Sequence, residues 1–178
     1  MHYPHGRVLI FARLPRPGRS KTRLIPALGR EGAARLQARL LRATIERVLA
    51  SGLAPAQLWV DGAQDAACTG IYRQAFAGEL YVQCSGDLGA RMAHALDQAL
   101  QQAAFAVLIG LRRSDPRLFE DIAWGTSAVA AQTRERFAAL GRILRELPVL
   151  WDVDRPEDLP RLYALDETWR DMPLCDNY

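Results

Sequence analysis

The chain has 178 residues, of which 49% are hydrophobic and 24% charged, the composition of one globular domain over residues 1–178 and not of a disordered or fibrous chain. No apolar run reaches the ~18 residues of a membrane span, and the N-terminus lacks a secretory signal core. Cys68, Cys84 and Cys175 without CxxC spacing make neither a disulfide framework nor a zinc ribbon. A protein of the reducing cytoplasm, with no membrane span, is expected.

The net charge of +3 conceals an asymmetry. Residues 1–30 hold seven basic side chains and no acid, whereas residues 151–178 hold eight acids against three bases. Such a basic beginning suits a local anion site or a nucleic-acid arm. Prolines and a glycine break the charged run and no aromatics interleave it, so nucleic acid is not the expected partner. Of 23 basic residues 22 are arginine, and the single lysine is Lys21.

Residues 7–12 (RVLIFA) form an apolar, β-branched run suited to a strand buried on both faces. The following LPRPGRSKTRLIPALG, with three prolines and two glycines, predicts neither helix nor strand. From residue 31 to 49 a helical stripe runs through Ala33, Leu36, Leu40, Leu41, Ile45, Val48 and Leu49, closed by Gly52. Residues 57–61 and 80–84 read as short strands. Asp87 is placed to cap a helix whose inward face is Leu88, Met92, Ala95, Leu96, Ala99 and Ala103. Residues 106–110 (AVLIG) predict another buried strand, and Thr126 or Ser127 starts a helix with Val129, Thr133, Phe137 and Leu140 inward, ended by Gly141. A last strand over residues 143–152 and a terminal helix opened by Pro156 and running through Leu165 complete the pattern. Alternation of this kind implies an α/β fold, a mostly parallel sheet with helices on both faces.

Three stretches carry candidate chemistry. FARLPRPGRSKTRL leaves the first strand, where open α/β sheets bind ligands. In it Gly18 permits close backbone approach, and Arg13, Arg19, Lys21 and Arg23 are placed to neutralise a pyrophosphate. It lacks the Walker A spacing, and a solvated basic loop is the alternative. GDLGARM opens a helix whose N–H groups suit an anion, or in which Asp87 is simply the N-cap. WDVDRPEDL spaces Asp152 and Asp154 two apart, which on a strand end aims both the same way, toward a shared hard cation or toward helix capping. Trp124-Gly125-Thr126 reads more readily as an aromatic packed on the sheet than as a substrate contact. His2, His5 and His94 make no metal pattern, and Ser51, Ser85 and Ser114 lack a nucleophile elbow.

Together FARLPRPGRSKTRL, GDLGARM, LIGLRRSDPRLFEDIAWGT and WDVDRPEDL resemble the bacterial GT-A-like glycosyltransferase or nucleotide-diphospho-sugar transferase family. The family is related in fold to nucleotidyltransferases acting on cobinamide, molybdopterin and isoprenoid precursors. The resemblance runs in order along almost the whole chain. It implies a GT-A, Rossmann-like sandwich binding a nucleotide or nucleotide sugar, with Mg²⁺ or Mn²⁺ bridging the phosphates. Position by position, it assigns Arg13, Gly18, Lys21 and Arg23 to the nucleotide loop, Gly86, Asp87 and Arg91 to a second motif, and Asp152 and Asp154 to an acidic metal motif.

One departure stands out. The family follows its VLIG strand with a Thr-Asp-Cys-Pro turn and a segment containing Glu-Asp-Gly-Gly-Tyr before a second VLIG-like strand, whereas here Gly110 runs directly into Leu111-Arg112-Arg113-Ser114-Asp115-Pro116. The chain is therefore expected to be a shortened member with impaired glycosyl or nucleotidyl transfer, or an inactive remnant serving as a homo-oligomeric interaction module. Lost sheet cover predicts a homodimer. The junction strand is predicted to pair in parallel beside residues 8–12 in a central position, with residues 111–124 irregular apart from a short turn around residues 116–121.

Overall fold

The computed structural model describes residues 2–61, 72, 76, 78–102, 105–107, 115–146 and 151–170. Within them four parallel strands form one sheet: β1 (Gly6–Ala12), β2 (Ala56–Val60), β3 (Glu79–Val82) and β4 (Phe105–Val107), in the order β3-β2-β1-β4. β1 pairs with β2 from Val8↔Ala56 to Ala12↔Val60, and with β4 from Gly6↔Phe105 to Val8↔Val107. The helices are α1 (Ile25–Ser51), α2 (Leu88–Gln102), α3 (Val129–Ala139) and α4 (Leu159–Leu165).

Alternation along the strands sends neighbouring side chains to opposite faces. Ile10, Ala12, Leu58 and Val60 pack with Leu41 and Ile45 of α1, while Leu9 and Trp59 pack with Met92, Ala95, Leu96 and Ala99 of α2 and with Phe137 of α3. Both faces of the sheet are thus covered, as the continuous apolar runs of β1 and β2 require. On the α2 face Phe11, Trp59 and Tyr81 stack across three adjacent strands at 6.2 and 4.7 Å. Buried Gln57 lies beside them, donating to Glu79 Oε2 at 2.8 Å and accepting from Trp59 Nε1 at 3.3 Å.

A third cluster joins Leu24, Ala33 and Leu36 to Val153, Leu159 and Leu162. It seats α4 and the segment before it against the N-terminal half of α1. The chain winds β1 to β2 to β3 in one direction, then crosses by α2 to β4 on the other side of β1. The order therefore switches between β1 and β4, and a crevice outside their carboxyl ends is where such sheets take ligands.

The parallel pairing of the junction strand with β1 holds through Val107↔Val8. Its central placement does not: β4 is the end strand of the sheet among the described residues, and the inner positions belong to β1 and β2. The short turn predicted after it is a 3-10 helix over Pro116–Leu118.

Three further expectations are corrected. Residues 22–28 are helical, because Thr22–Leu24 forms a 3-10 turn and Pro26 occupies the first turn of α1, where its missing N–H breaks no bond. The interruption instead falls at Gly29, with φ 70° and ψ 172° inside α1. Leu88, expected inward, is exposed at the first position of α2. Residues 143–146 and 151–152 are not strand, and Ile143 is 97% exposed. Cys68, Cys175, Ala103 and residues 108–114 and 147–150 lie outside the described residues.

Candidate functional site

The loop from Arg13 to Lys21 leaves the carboxyl end of β1 and is held from several sides. Leu14 is buried beneath it. Buried Ser20 donates its hydroxyl to Leu14 O at 2.8 Å and accepts from Arg16 N at 2.8 Å, closing the loop on itself. Asp61, directly after β2, accepts from Leu14 N at 2.8 Å and lies 3.4 Å from Arg13 and 3.5 Å from Arg16. Gln37 of α1 donates to Arg13 O at 2.9 Å. Gln83, after β3, donates to Ala12 O and Trp59 O, tying together the strand ends beneath the loop. Gly18 turns the chain at φ 75°, a conformation open to glycine.

Lys21 also has a positive φ, 44°. Glycine would adopt it without the ~1–2 kcal/mol Cβ penalty, so this position keeps a side chain against a backbone preference. The ammonium is largely buried, donates to Val153 O at 2.6 Å and lies 3.8 Å from Asp152 Oδ1. Arg23, two residues on, is ion-paired with Asp154. Asp158 accepts from Asp154 N at 2.9 Å and Arg155 N at 2.8 Å. Those two N–H groups, with the charge of Lys21 nearby, hold its carboxyl below the usual range.

Arg13, Lys21, Thr22, Arg23, Gln37 and Asp154 line one cleft of about 350 Å³. Of the residues assigned from the sequence, the structure therefore brings together Arg13, Lys21, Arg23 and Asp154, with Gly18 shaping the loop. Asp152 adjoins through Lys21 and borders a second, apolar cleft with Trp151 and Trp169. The second motif is not part of the cleft lining: Asp87 caps α2 by accepting from Ala90 N at 2.8 Å, and Arg91 folds back to donate to Gly86 O at 2.9 Å. Trp124 stacks on Phe119 and covers Gly89, a packing role. Sequence reasoning missed Asp61, Ser20, Gln37 and Gln83; the available signal for Asp61 and Gln83 was a polar residue directly following a strand, and Ser20 in the loop and Gln37 within α1 carried none.

The donor set for a divalent cation is thin. Asp152 and Asp154 face Lys21 and Arg23, and among the described residues no three His, Cys, Asp or Glu side chains converge on one point. Mg²⁺ beside a diphosphate is usually held by one or two carboxylates together with phosphate oxygens and waters, which requires carboxylates free of cationic partners. Here a lysine ammonium occupies the place between the Val153 carbonyl and the Asp152 carboxylate, so the residues as arranged do not fit a metal.

Asp115 is a separate charge centre. Its side chain is buried between Arg117, at 2.9 and 3.0 Å, and Arg142, at 3.3 Å. The Arg117 hydrogen bonds foremost, then Arg142, lower its pKa from 3.8 to about 2. It fastens the turn after β4 to the end of α3.

Residues 44–111 match a family model described as "Uncharacterized protein conserved in bacteria (DUF2064)". The match runs from the last two turns of α1 through β4 and leaves the loop and the acidic segment outside. No curated protein matches the chain. The fold is similar to the crystal structure of a protein described as a "putative nucleotide-diphospho-sugar transferase" from Desulfovibrio desulfuricans G20, at 22% identity and TM-score 0.80, over 92% of this chain and 88% of that one. That likeness supports the α/β architecture with helices on both faces. Among the described residues no helix is long and apolar enough to cross a membrane.

Proposed function

We propose that the cleft beside Lys21 binds the diphosphate of a nucleotide or nucleotide sugar, and that the chain is a GT-A-like transferase of the glycosyl- or nucleotidyl-transfer type. The observation that carries this reading is the convergence of Arg13, Lys21 and Arg23 on one cleft at the carboxyl end of β1, beside the point where the strand order switches. The description of the structurally similar protein supports the same class.

Three cations on a loop held by Asp61 and Ser20 are suited to a diphosphate that gains negative charge as it leaves. Such groups act best when they are already oriented and need no rearrangement during reaction. Lys21 contributes a compact charge, and Arg13 and Arg23 contribute planar forks that match phosphate oxygens. Gly86, Asp87 and Arg91 belong to this proposal as a secondary boundary of the nucleotide, and the divalent cation implied by the resemblance supplies none of its steps.

Calorimetry with nucleoside di- and triphosphates, each with and without Mg²⁺ or Mn²⁺, tests the reading. Heat with at least one diphosphate is expected, and no heat with any of them would end it. Product formation from a labelled sugar nucleotide separates an active transferase from a shortened, impaired one. Binding without turnover, with a dimer in light scattering, would favour the inactive, homo-oligomeric form. A cytoplasmic homodimer is part of the proposal, and a clean monomer at tens of micromolar counts against it.

A further inference from the structure

Val153 is buried with Leu24, Leu36 and Leu159, and this fixes the segment that carries Asp152 and Asp154 against the loop. Its backbone carbonyl accepts from Lys21, Asp152 lies beside the same ammonium, and Asp154 pairs with Arg23. On the other side of the loop, Arg13 and Arg16 share Asp61. Two cations lining the cleft, Lys21 and Arg23, are thus engaged by acids of the chain itself, and an incoming anion has to take them over.

We infer that residues 152–154 act as an internal anion standing in for the diphosphate on Lys21 and Arg23, so that ligand binding and release of the two carboxylates form one equilibrium. This rests on the diphosphate reading given above. The hold is light: Arg23 and Asp154 are 57% and 40% exposed, Asp152 is 81% exposed and 3.8 Å from the 17% exposed Lys21, and an exposed pair such as Arg23 with Asp154 is worth at most about fivefold in an equilibrium. Only the carboxylates need move, because Val153 stays anchored by its burial. A ligand with one phosphate replaces one pair, whereas a diphosphate spans both cations, so the device selects for diphosphates. This role is opposite in sign to that of metal-binding carboxylates, whose loss weakens binding.

The test is calorimetric titration of inorganic pyrophosphate and inorganic phosphate, in the presence of chelator, into wild type, the double variant Asp152→Asn/Asp154→Asn, and Glu157→Gln. Glu157 is an exposed acid of the same stretch outside the cleft lining and controls for general charge. The double variant should bind pyrophosphate roughly 3- to 20-fold more tightly, with a smaller gain for phosphate and less than twofold change in Glu157→Gln. Equal or weaker binding in the double variant, or an equal gain in the control, would overturn the inference. Should no variant bind pyrophosphate, the diphosphate reading itself fails, and docking of the segment is then read by amide hydrogen exchange. In Lys21→Gln/Arg23→Gln the amide of Val153, which donates to Asp152 Oδ1 at 2.6 Å, should exchange severalfold faster while those of Asp154 and Arg155, held by Asp158, stay unchanged, and unchanged exchange at Val153 would overturn the docking as well.

Discussion

Asp61 Oδ1 accepts a hydrogen bond from the backbone N–H of Leu14 at 2.8 Å, joining the residue after β2 to the loop after β1. Parallel pairing of β1 with β2 brings these two positions together from 47 residues apart in sequence. The same carboxylate orders Arg13 and Arg16, so one side chain sets both the path and the charge geometry of the loop.

Replacing Asp61 by Ala leaves the Leu14 N–H without its partner. A buried donor so orphaned costs about 1–3 kcal/mol, read in urea unfolding as a lower midpoint at constant m value. Diphosphate affinity should fall in parallel, because Arg13 and Arg16 lose their common anchor. Stability within 0.5 kcal/mol of wild type, a margin of about the usual surface scatter, would show that the loop is held by other means.

Gly89 and its neighbour Leu88 should respond in opposite ways. A Cβ at Gly89 would stand 2.5 Å from Trp124 Nε1 and 2.6 Å from the carbonyl oxygen of Phe119. Gly89→Ala therefore forces backbone to move and should destabilise by about 1–3 kcal/mol. Leu88→Ala, at an exposed site, should change stability by less than about 0.5 kcal/mol. Thermal unfolding of the two variants side by side decides this, and equal effects would refute the packing described for the start of α2.

Local signals carried much of this fold and site. Apolar runs marked β1 and β2, the stripe from Ala33 to Ile45 marked α1, and a solitary lysine in a proline- and glycine-rich loop marked the cleft. What stayed hidden depended on partners distant in the chain. Asp61 reads as the end of a strand until β2 lies beside β1, and Asp152 and Asp154 read as metal ligands until α4 packs on α1 and presents them to Lys21 and Arg23. Pro26 read as a breaker because composition does not tell the first turn of a helix from its interior. Ile143 read as strand because an apolar β-branched residue scores the same whether or not anything covers it.

Asp115 makes acid stability titratable. Its carboxyl is lowered from 3.8 to about 2 by Arg117 and Arg142, so its contribution is complete above pH ~4 and is lost as the pH falls toward 2. Asp115→Asn should remove that part of the slope, bringing the urea midpoints of wild type and variant closer together between pH 4 and 2. Midpoints that stay a constant interval apart across that range would show that the two arginines do not hold the folded carboxylate.

The central claim is that Lys21 meets a diphosphate in the first loop, and calorimetry of a nucleoside diphosphate with wild type and Lys21→Ala tests it most directly. A charge-assisted hydrogen bond is worth ~1.5–3 kcal/mol, so the variant should bind about 10- to 150-fold more weakly. Its far-ultraviolet spectrum should match wild type, because alanine keeps the same left-handed backbone at φ 44°, while its melting temperature should fall by a few degrees, because the Val153 carbonyl loses its Lys21 partner. Equal affinity in the two proteins, or no heat in the wild type with any nucleoside diphosphate, would contradict the account.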